Sequence, residues 1–434
     1  MPRSNSRFKI AVVGSGIAGL ACAYRLAQAQ FEVSLIEAND YFGGHTHTVD
    51  VCLEGTNYGV DTGFLVYNQQ TYPNLVGLFH ELEIETAATE MTFSVKLPCQ
   101  QRVLEWSGTS LNTVFAQRRN LFNLKFIGML WEILRFNKQA TALARLTEIT
   151  TTLSLGEYLR QNHYSDEFCN WYLLPMAGCI WSCPTEQMLA FPLATFVRFC
   201  NNHSLLQISD RPQWLTVKGG ARQYVAKLIE RIPNKYLNTA VTSIQRLQIE
   251  HETKIRLEST QGSWIFDQVV LACHSDQSLP ILADASTEEQ RILAALRYHT
   301  NKAVLHTDST CLPQNKALWS AWNYQSSGGP AAEVCVHYLI NKLQPLPFQA
   351  PVIVSLNPLQ PPNPVKVIQS FDYAHPVLDD LAIAAQNDLP SIQGRSGTWF
   401  AGAWTGYGFH EDGLKSGLAV AQAIIEQSKK NAGQ

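Results

Sequence analysis

Three glycines near the start of the chain stand at a spacing that carries phosphate chemistry. Gly14, Gly16 and Gly19, in "VVGSGIAGLACAYRL", follow the pattern G-x-G-x-x-G between an apolar strand-like run (Lys9-Ile-Ala-Val-Val13) and a helix-like stretch reaching about Gln30. In that context the first glycine makes a tight turn, the second lets bare backbone approach a pyrophosphate, and the third lets helix and strand pack closely. Ser15, Ile17 and Ala18 complete the turn, and the helix N-terminus offers free N–H groups and the positive end of its dipole to the phosphates. A second strand-like run ends on Glu37, followed by Ala38, 18 residues beyond Gly19. That is close to the roughly 20 residues expected for a carboxylate that binds ribose hydroxyls, and a carboxylate there repels the extra phosphate of NADP.

The same stretch also reads as an export signal: Arg3, Arg7 and Lys9 precede an apolar run and a small-residue site at Ala21-Cys22-Ala23. Cleavage there would destroy a complete βαβ unit, so the cofactor reading is preferred. Other side chains suit catalysis or substrate contact. Near the C-terminal end, "WFAGAWTGYGFHEDGLKSG" offers His410 as a candidate base, with Trp404, Tyr407 and Phe409 as candidate pocket walls. Gly402 permits close backbone approach to a cofactor, and the helix expected from about Glu411 and Asp412 aims its N-terminus inward. Tyr67 is a candidate catalytic or pocket residue. His45 and His47 alternate on a probable strand without a third ligand, so no metal is expected.

The elements that must position these residues are spread along 434 residues, enough for two domains. Dinucleotide-type pieces occupy 1–75, 212–275 and 370–434; a helical stretch at 76–211 and a mixed one at 276–369 lie between them. The pattern predicts a discontinuous Rossmann-like α/β domain carrying an inserted α+β substrate domain. A net charge of −3 gives no reason to expect nucleic acid. The ten cysteines lack C-x-x-C pairs and read as reduced thiols of a cytoplasmic protein; Cys179 and Cys183 share a helical spacing but lack partners for zinc. No apolar stretch reaches about 18 residues, so no spanning helix is expected. Segment 118–146 combines Arg118, Arg119, Lys125, Arg135, Lys138 and Arg145 with Leu, Phe, Ile and Trp at helical spacing. It reads either as a core helix with a solvated face or as a peripheral membrane contact.

Four blocks resemble the flavin-containing amine oxidases and their relatives, a group that includes phytoene desaturases and protoporphyrinogen oxidases: "VVGSGIAGLACAYRL…VSLIEANDYFGGH", "VDTGF", "VKGGARQYVAKL" with "NTAVTSIQRL", and the closing "WFAGAWTGYGFHEDGLKSGLAVAQAI". The resemblance implies FAD as cofactor and a glutathione reductase-like FAD fold. It places Gly44, His45 and Thr46 at the end of the FAD fingerprint, with His45 where the family usually has Arg. It sets Gly63 and Phe64 beside the flavin, Val241 at the adenine, and Ala403 where an acidic FAD contact is usual. Covalent flavin attachment through His45 is one implied alternative, and Lys302 falls near the place of a water-holding lysine or is simply exposed.

More narrowly, "NDYFGGHTHTVDV", "YLLPMAGCIWSCP" and "AVLHTDSTCLP" resemble a bacterial subgroup similar to the oxidoreductase domain of plant cyclopropane fatty acid synthases. That implies hydride transfer to FAD from a small hydrophobic substrate, an unsaturated or methyl-branched fatty acyl chain. Amine oxidation with peroxide release, fatty acid isomerisation, and terpenoid or tetrapyrrole oxidation are the alternatives.

Overall fold

The computed structural model describes residues 8–99, 102–146, 153–181, 185–207, 211–327 and 335–432. Cys183 lies outside them. Five strands form a parallel sheet in the order Asn234–Tyr236, Glu32–Ile36, Lys9–Val13, Gln268–Leu271, Thr398–Phe400. Both faces of this sheet are covered, which is why Ile10 to Val13 and Val269 to Leu271 run apolar without alternation. Successive residues feed two different cores. Ile10 and Val12 pack with the helix Ile17–Gln28, whereas Ala11 and Val13 pack with Ile244, Ile255, Leu257 and Phe266 of an antiparallel meander (Val241–Ile249, Glu252–Ser259, Gly262–Phe266).

The helix Ile17–Gln28 is clasped between its strand and the closing helix His410–Ala432. Two glycines set that distance. A Cβ on Gly19 would stand 1.9 Å from the carbonyl oxygen of Gly14, and one on Gly417 would stand 2.1 Å from that of Ala18. No side chain fits at either contact.

The second large element is a seven-stranded mixed sheet in the order Val367–Pro376, Tyr298–His306, Ile353–Leu356, Cys335–Leu339, Trp322–Gln325, Phe93–Cys99, Arg102–Ser107. Its first strand runs across the boundary expected at 369/370. Likewise Trp214–Val217, in the piece expected to begin the middle of the cofactor domain at 212, pairs on one side with Tyr67–Asn68 and on the other with Thr86–Thr89 of the stretch expected in the substrate domain. Both departures are long-range pairings, Asn301 with Tyr373 and Ala88 with Leu215, which composition along the chain does not encode.

Helices cap this sheet. Leu124–Ala144 starts on Asn123, whose Oδ1 accepts from Lys125 N at 3.1 Å, and it buries Phe126, Met129, Phe136 and Ala140. It packs on Leu193–Asn202 through contacts such as Phe136 with Phe196. Among the described residues no helix is long and apolar enough to cross a membrane, and the nine described cysteines are unbridged.

Candidate active site

A cavity of about 830 Å³ runs along the junction of the two sheets. One arm is a backbone cradle. Gly14 holds φ +97°, where a Cβ would meet the Ala272 carbonyl carbon at 2.9 Å; Gly16, by contrast, has nothing within 4 Å of the position its Cβ would take. The open space lies in front of the N-terminus of Ile17–Gln28, which has no side-chain cap. Gly14, Ser15, Gly16, Ile17 and Ala18 all line the cavity there.

Glu37, buried, accepts from Ser15 N at 2.8 Å, Ser15 Oγ at 2.6 Å and Asn39 N at 3.0 Å, so its carboxylate is fixed at the strand end. Ala38 and Val241 line the same end. Gly44, His45, Gly63, Phe64, Gly402 and Ala403 line the middle.

His45 is the distinctive group of that middle section. Its ring stands 5.0 Å from Tyr373, 5.3 Å from His375 and 6.1 Å from His274, and its Nε2 is buried without a hydrogen-bond partner among the described residues. Burial, reinforced by His274, pushes its pKa down to about 4, and His274 and His375 are pushed to about 4 and about 3 in the same way. These imidazoles are neutral at pH 7. An uncapped helix N-terminus, a cradle at Gly16 that a Cβ would enter unopposed, a fixed ribose-type carboxylate and an orphaned buried imidazole nitrogen together fit an FAD molecule laid along this arm.

His410 opens the closing helix and lines the cavity, stacked on Phe64 at 3.8 Å. The hydroxyl of the buried Tyr224 lies between His410 Nε2 (2.7 Å) and Thr46 Oγ1 (2.5 Å). Thr46 is therefore part of the support behind His410 and not of the cavity lining. Burial holds His410 neutral, its pKa pushed down to about 3.

Three further expected positions lie elsewhere. The Glu411 carboxylate points to the start of the helix Pro73–Glu81 and accepts from Asn74 N (2.8 Å) and Leu75 N (3.1 Å), donors otherwise unpaired at a helix N-terminus. Asp412 turns back to accept from Tyr407 N (3.1 Å) and Phe409 N (3.0 Å), fixing the loop in front of the helix. Tyr67 is buried against Tyr72 and Phe79 and lines a separate, smaller cavity with His80 and Thr86, so it is not placed to act at the main one. Gly19 contributes packing, as its spacing predicts. Lys302 is exposed on its strand.

The other arm is aromatic. Phe409 stacks on Phe199 at 4.7 Å and 21°, Tyr407 meets the same ring at 5.8 Å, and Trp181 meets Phe199 at 4.5 Å. Trp322, Tyr338, Met91 and Ile180 extend this wall. Trp404 also touches the cavity, but its ring belongs to the core behind the parallel sheet and its indole N–H donates to the Cys273 carbonyl at 3.3 Å. Sequence reading missed Trp181, Phe199, His203, Trp322, His274 and His375. His274 had a signal, since it follows the carboxyl end of a parallel strand, where ligands of such sheets bind. The aromatics had none: in helices and strands of a large core they are indistinguishable from packing.

Comparison with known proteins agrees with this geometry. Residues 17–351 match the family model described as flavin containing amine oxidoreductase. A Mycobacterium tuberculosis protein described as a flavin-containing monoamine oxidase is 27% identical over 263 residues, 58% of this chain and 54% of that one. A 1-hydroxycarotenoid 3,4-desaturase of Flavobacterium sp. is 39% identical over 74 residues, 17% of this chain and 14% of that one. The matched part thus spans about half or less of these relatives' length.

Among solved structures, cyclohexylamine oxidase from Brevibacterium oxydans superposes with a TM-score of 0.66 at 15% identity, covering 98% of this chain and 100% of that one. A fatty acid isomerase from P. acnes gives 0.64 at 16%, covering 97% and 99%. The fold is that of these two enzymes, and the chain belongs to the flavin containing amine oxidoreductase family, with FAD as its cofactor.

Proposed function

We propose that this protein dehydrogenates an apolar substrate, an unsaturated or methyl-branched fatty acyl chain. The observation that carries the reading is the substrate arm, walled by aromatic and aliphatic side chains without a carboxylate. Among the described residues the carboxylates lining the cavity are Glu37, at the adenosine end, and Asp372, exposed on the strand Val367–Pro376. An amine arriving as ammonium would lose its hydration in the arm with no anion to replace it. An acyl chain gains by about 25 cal/mol for each Å² of apolar surface it buries there. The resemblance to the oxidoreductase domain of plant cyclopropane fatty acid synthases supports the same substrate class.

Bound FAD supplies the acceptor for a hydride leaving the substrate carbon. The chain's own residues bind, orient and manage the accompanying proton. Residues 14–18 hold the pyrophosphate, Glu37 the ribose, and His45 offers one neutral hydrogen-bonding nitrogen. His410, with Nε2 committed to Tyr224 and its protonated form opposed by burial, is a poor proton acceptor and serves as a positioned neutral wall.

His203 is better placed for the proton: burial lowers its pKa too, but its Nε2 is not committed to a neighbouring hydroxyl as that of His410 is. Its Nδ1 lies 3.0 Å from the Phe199 carbonyl oxygen, which can only accept, so Nδ1 carries the hydrogen and Nε2 keeps its lone pair. Its ring lines the aromatic arm, stacked on Phe199 at 3.9 Å.

Anaerobic mixing of the flavin-loaded protein with an unsaturated fatty acyl lipid tests the reading. Lasting bleaching of the flavin, with a desaturated product, is the expected result, and His203→Gln should slow it while leaving flavin content unchanged. Amine-dependent peroxide without acyl turnover would overturn it. Shifted double bonds without lasting bleaching would make the protein an isomerase.

A further inference from the structure

The helix Leu124–Ala144 turns a second face to solvent, and it is not a polar one. Leu124 and Trp131, one heptad apart, lie opposite the buried Phe126, Met129 and Phe136, and they are 86% and 70% exposed. Phe122, in the turn that feeds the helix, is 88% exposed, with Leu121 and Leu134 beside them at 47% and 46%. Five large apolar side chains within 14 residues thus face water, three on a helix whose inner face is already used and two in the turn that leads into it. Scattered single apolar residues need no explanation, but a contiguous set on one ridge does.

Charge surrounds this ridge. Segment 118–146 holds six basic residues against one acidic residue, Glu132, in a chain whose net charge is −3. Arg118 donates to the Phe115 carbonyl oxygen (3.0 Å) and Arg119 to that of Val103 (2.9 Å); these neutral partners fix both guanidinium groups and leave their charge uncompensated. Lys125 is paired with Glu167, and Arg135 with Glu132, while Lys138 and Arg145 are exposed.

An apolar ridge with aromatic tips and basic flanks matches the interface of an anionic bilayer. There the aromatic and leucine side chains enter the acyl boundary while the basic groups stay among phosphates. The helix is 21 residues long, about 31 Å. It lies on such a surface rather than crossing it, since it is neither apolar enough to span nor free of the core beneath. A second copy of the chain is a poorer occupant, because a two-fold contact through this patch sets the basic cluster of one copy against its own image.

We propose that this ridge is a docking surface for a membrane containing anionic lipid, centred on Phe122, Leu124 and Trp131. It lies one helix layer outside the cavity, since Leu124–Ala144 packs on Leu193–Asn202, whose Phe199 lines the aromatic arm. The inference rests on the surface alone and stands whatever substrate the arm takes.

Flotation of the flavin-loaded protein with vesicles of phosphatidylcholine, with and without phosphatidylglycerol, tests it. Binding should appear on the anionic vesicles and weaken with salt. The double variant Phe122→Ser/Trp131→Ser should lose at least about tenfold in affinity with flavin content and melting temperature unchanged, since both side chains are exposed. Arg118→Glu and Lys138→Glu should each cost about fivefold or more. Absence of binding to anionic vesicles, equal binding to neutral ones, or an aromatic variant that binds like the parent would overturn the proposal. So would a dimer that the aromatic variant converts to a monomer, which would assign the ridge to a second copy.

Discussion

The cavity's two arms are built by different means. The cofactor arm is made of backbone: its shape comes from where glycine permits a turn or a close contact, and its side-chain groups, Glu37 and His45, stand next to those turns. The aromatic arm is made of side chains delivered from separated elements, with Trp181, Phe199, Trp322 and Phe409 meeting only in the folded chain. A surface of backbone tolerates almost no substitution, because every added atom lands on a carbonyl or in the ligand. A surface of side chains can be re-cut residue by residue without loss of the fold. One family can therefore hold a constant cofactor beside very different substrates.

The sharpest break of that comparison lies within the glycine fingerprint itself. Gly19→Val places atoms on the Gly14 carbonyl oxygen and should abolish folding, read as insoluble protein. Gly16→Val meets open space and should fold with the melting temperature of the flavin-free parent while binding no FAD. If both variants fail alike, the cradle at Gly16 is structural and the cofactor assignment of this arm is wrong.

In the aromatic arm, Phe199→Ala removes a fully buried ring and should cost about 3–5 kcal/mol in denaturant unfolding. Flavin should still bind, and the loss of activity should appear as a changed substrate preference.

A smaller effect comes from pH. Burial pushes the pKa values of His45, His274, His306, His337, His375 and His410 down to between about 3 and about 4. The unfolded chain protonates these groups near pH 6.5, so the stability they contribute is complete above that pH and is lost as pH falls toward 4. Asp61 and Asp412, pushed up to about 7 and about 6, titrate in the opposite sense. Asp276 and Glu411 are raised as well, and His47 and His203 lowered, so at four carboxylates against eight histidines the carboxylates should blunt the fall without reversing it. A melting temperature that rises on acidification from pH 7 to 5 would contradict the histidine assignments.

The mildest test is Tyr224→Phe. It deletes the hydroxyl between Thr46 and His410 and should cost about 1 kcal/mol of stability. It should leave flavin content intact and lower turnover if the orientation of His410 matters to the arm.

What could be read in advance follows the same division. The parallel sheet and its cofactor turn were legible because their determinants are local: a glycine spacing, a strand before it, a helix after it, a carboxylate at the next strand end. Two acidic residues misled for an equally local reason. Glu411 and Asp412 stand at a helix N-terminus that points toward the cofactor, but Glu411 reaches the first turn of the helix Pro73–Glu81 and Asp412 turns back to the loop just before it, and sequence adjacency does not say which way a side chain turns. Tyr67 sits three residues after Phe64, close enough in sequence to share its site, yet its strand carries it into a different cavity. His203 and Phe199 were invisible because a helix that lines a cavity and a helix that lines a core have the same apolar period.

The clasp of the first helix by the last has a consequence in time. The closing helix must reach Ala18 through Gly417, and the edge strand Thr398–Phe400 must join Gln268–Leu271, before the sheet that carries the fingerprint is complete. At about 5–20 residues per second, the ribosome delivers those partners roughly 20–80 seconds after the fingerprint emerges. For that interval the strands of the first βαβ unit can pair with each other and then with Asn234–Tyr236 and Gln268–Leu271, but the face of the helix Ile17–Gln28 that the closing helix covers stays open, a state prone to aggregation. The apolar face of that first helix is the exposed liability through the interval, and flavin that binds only the completed site favours the folded chain by mass action.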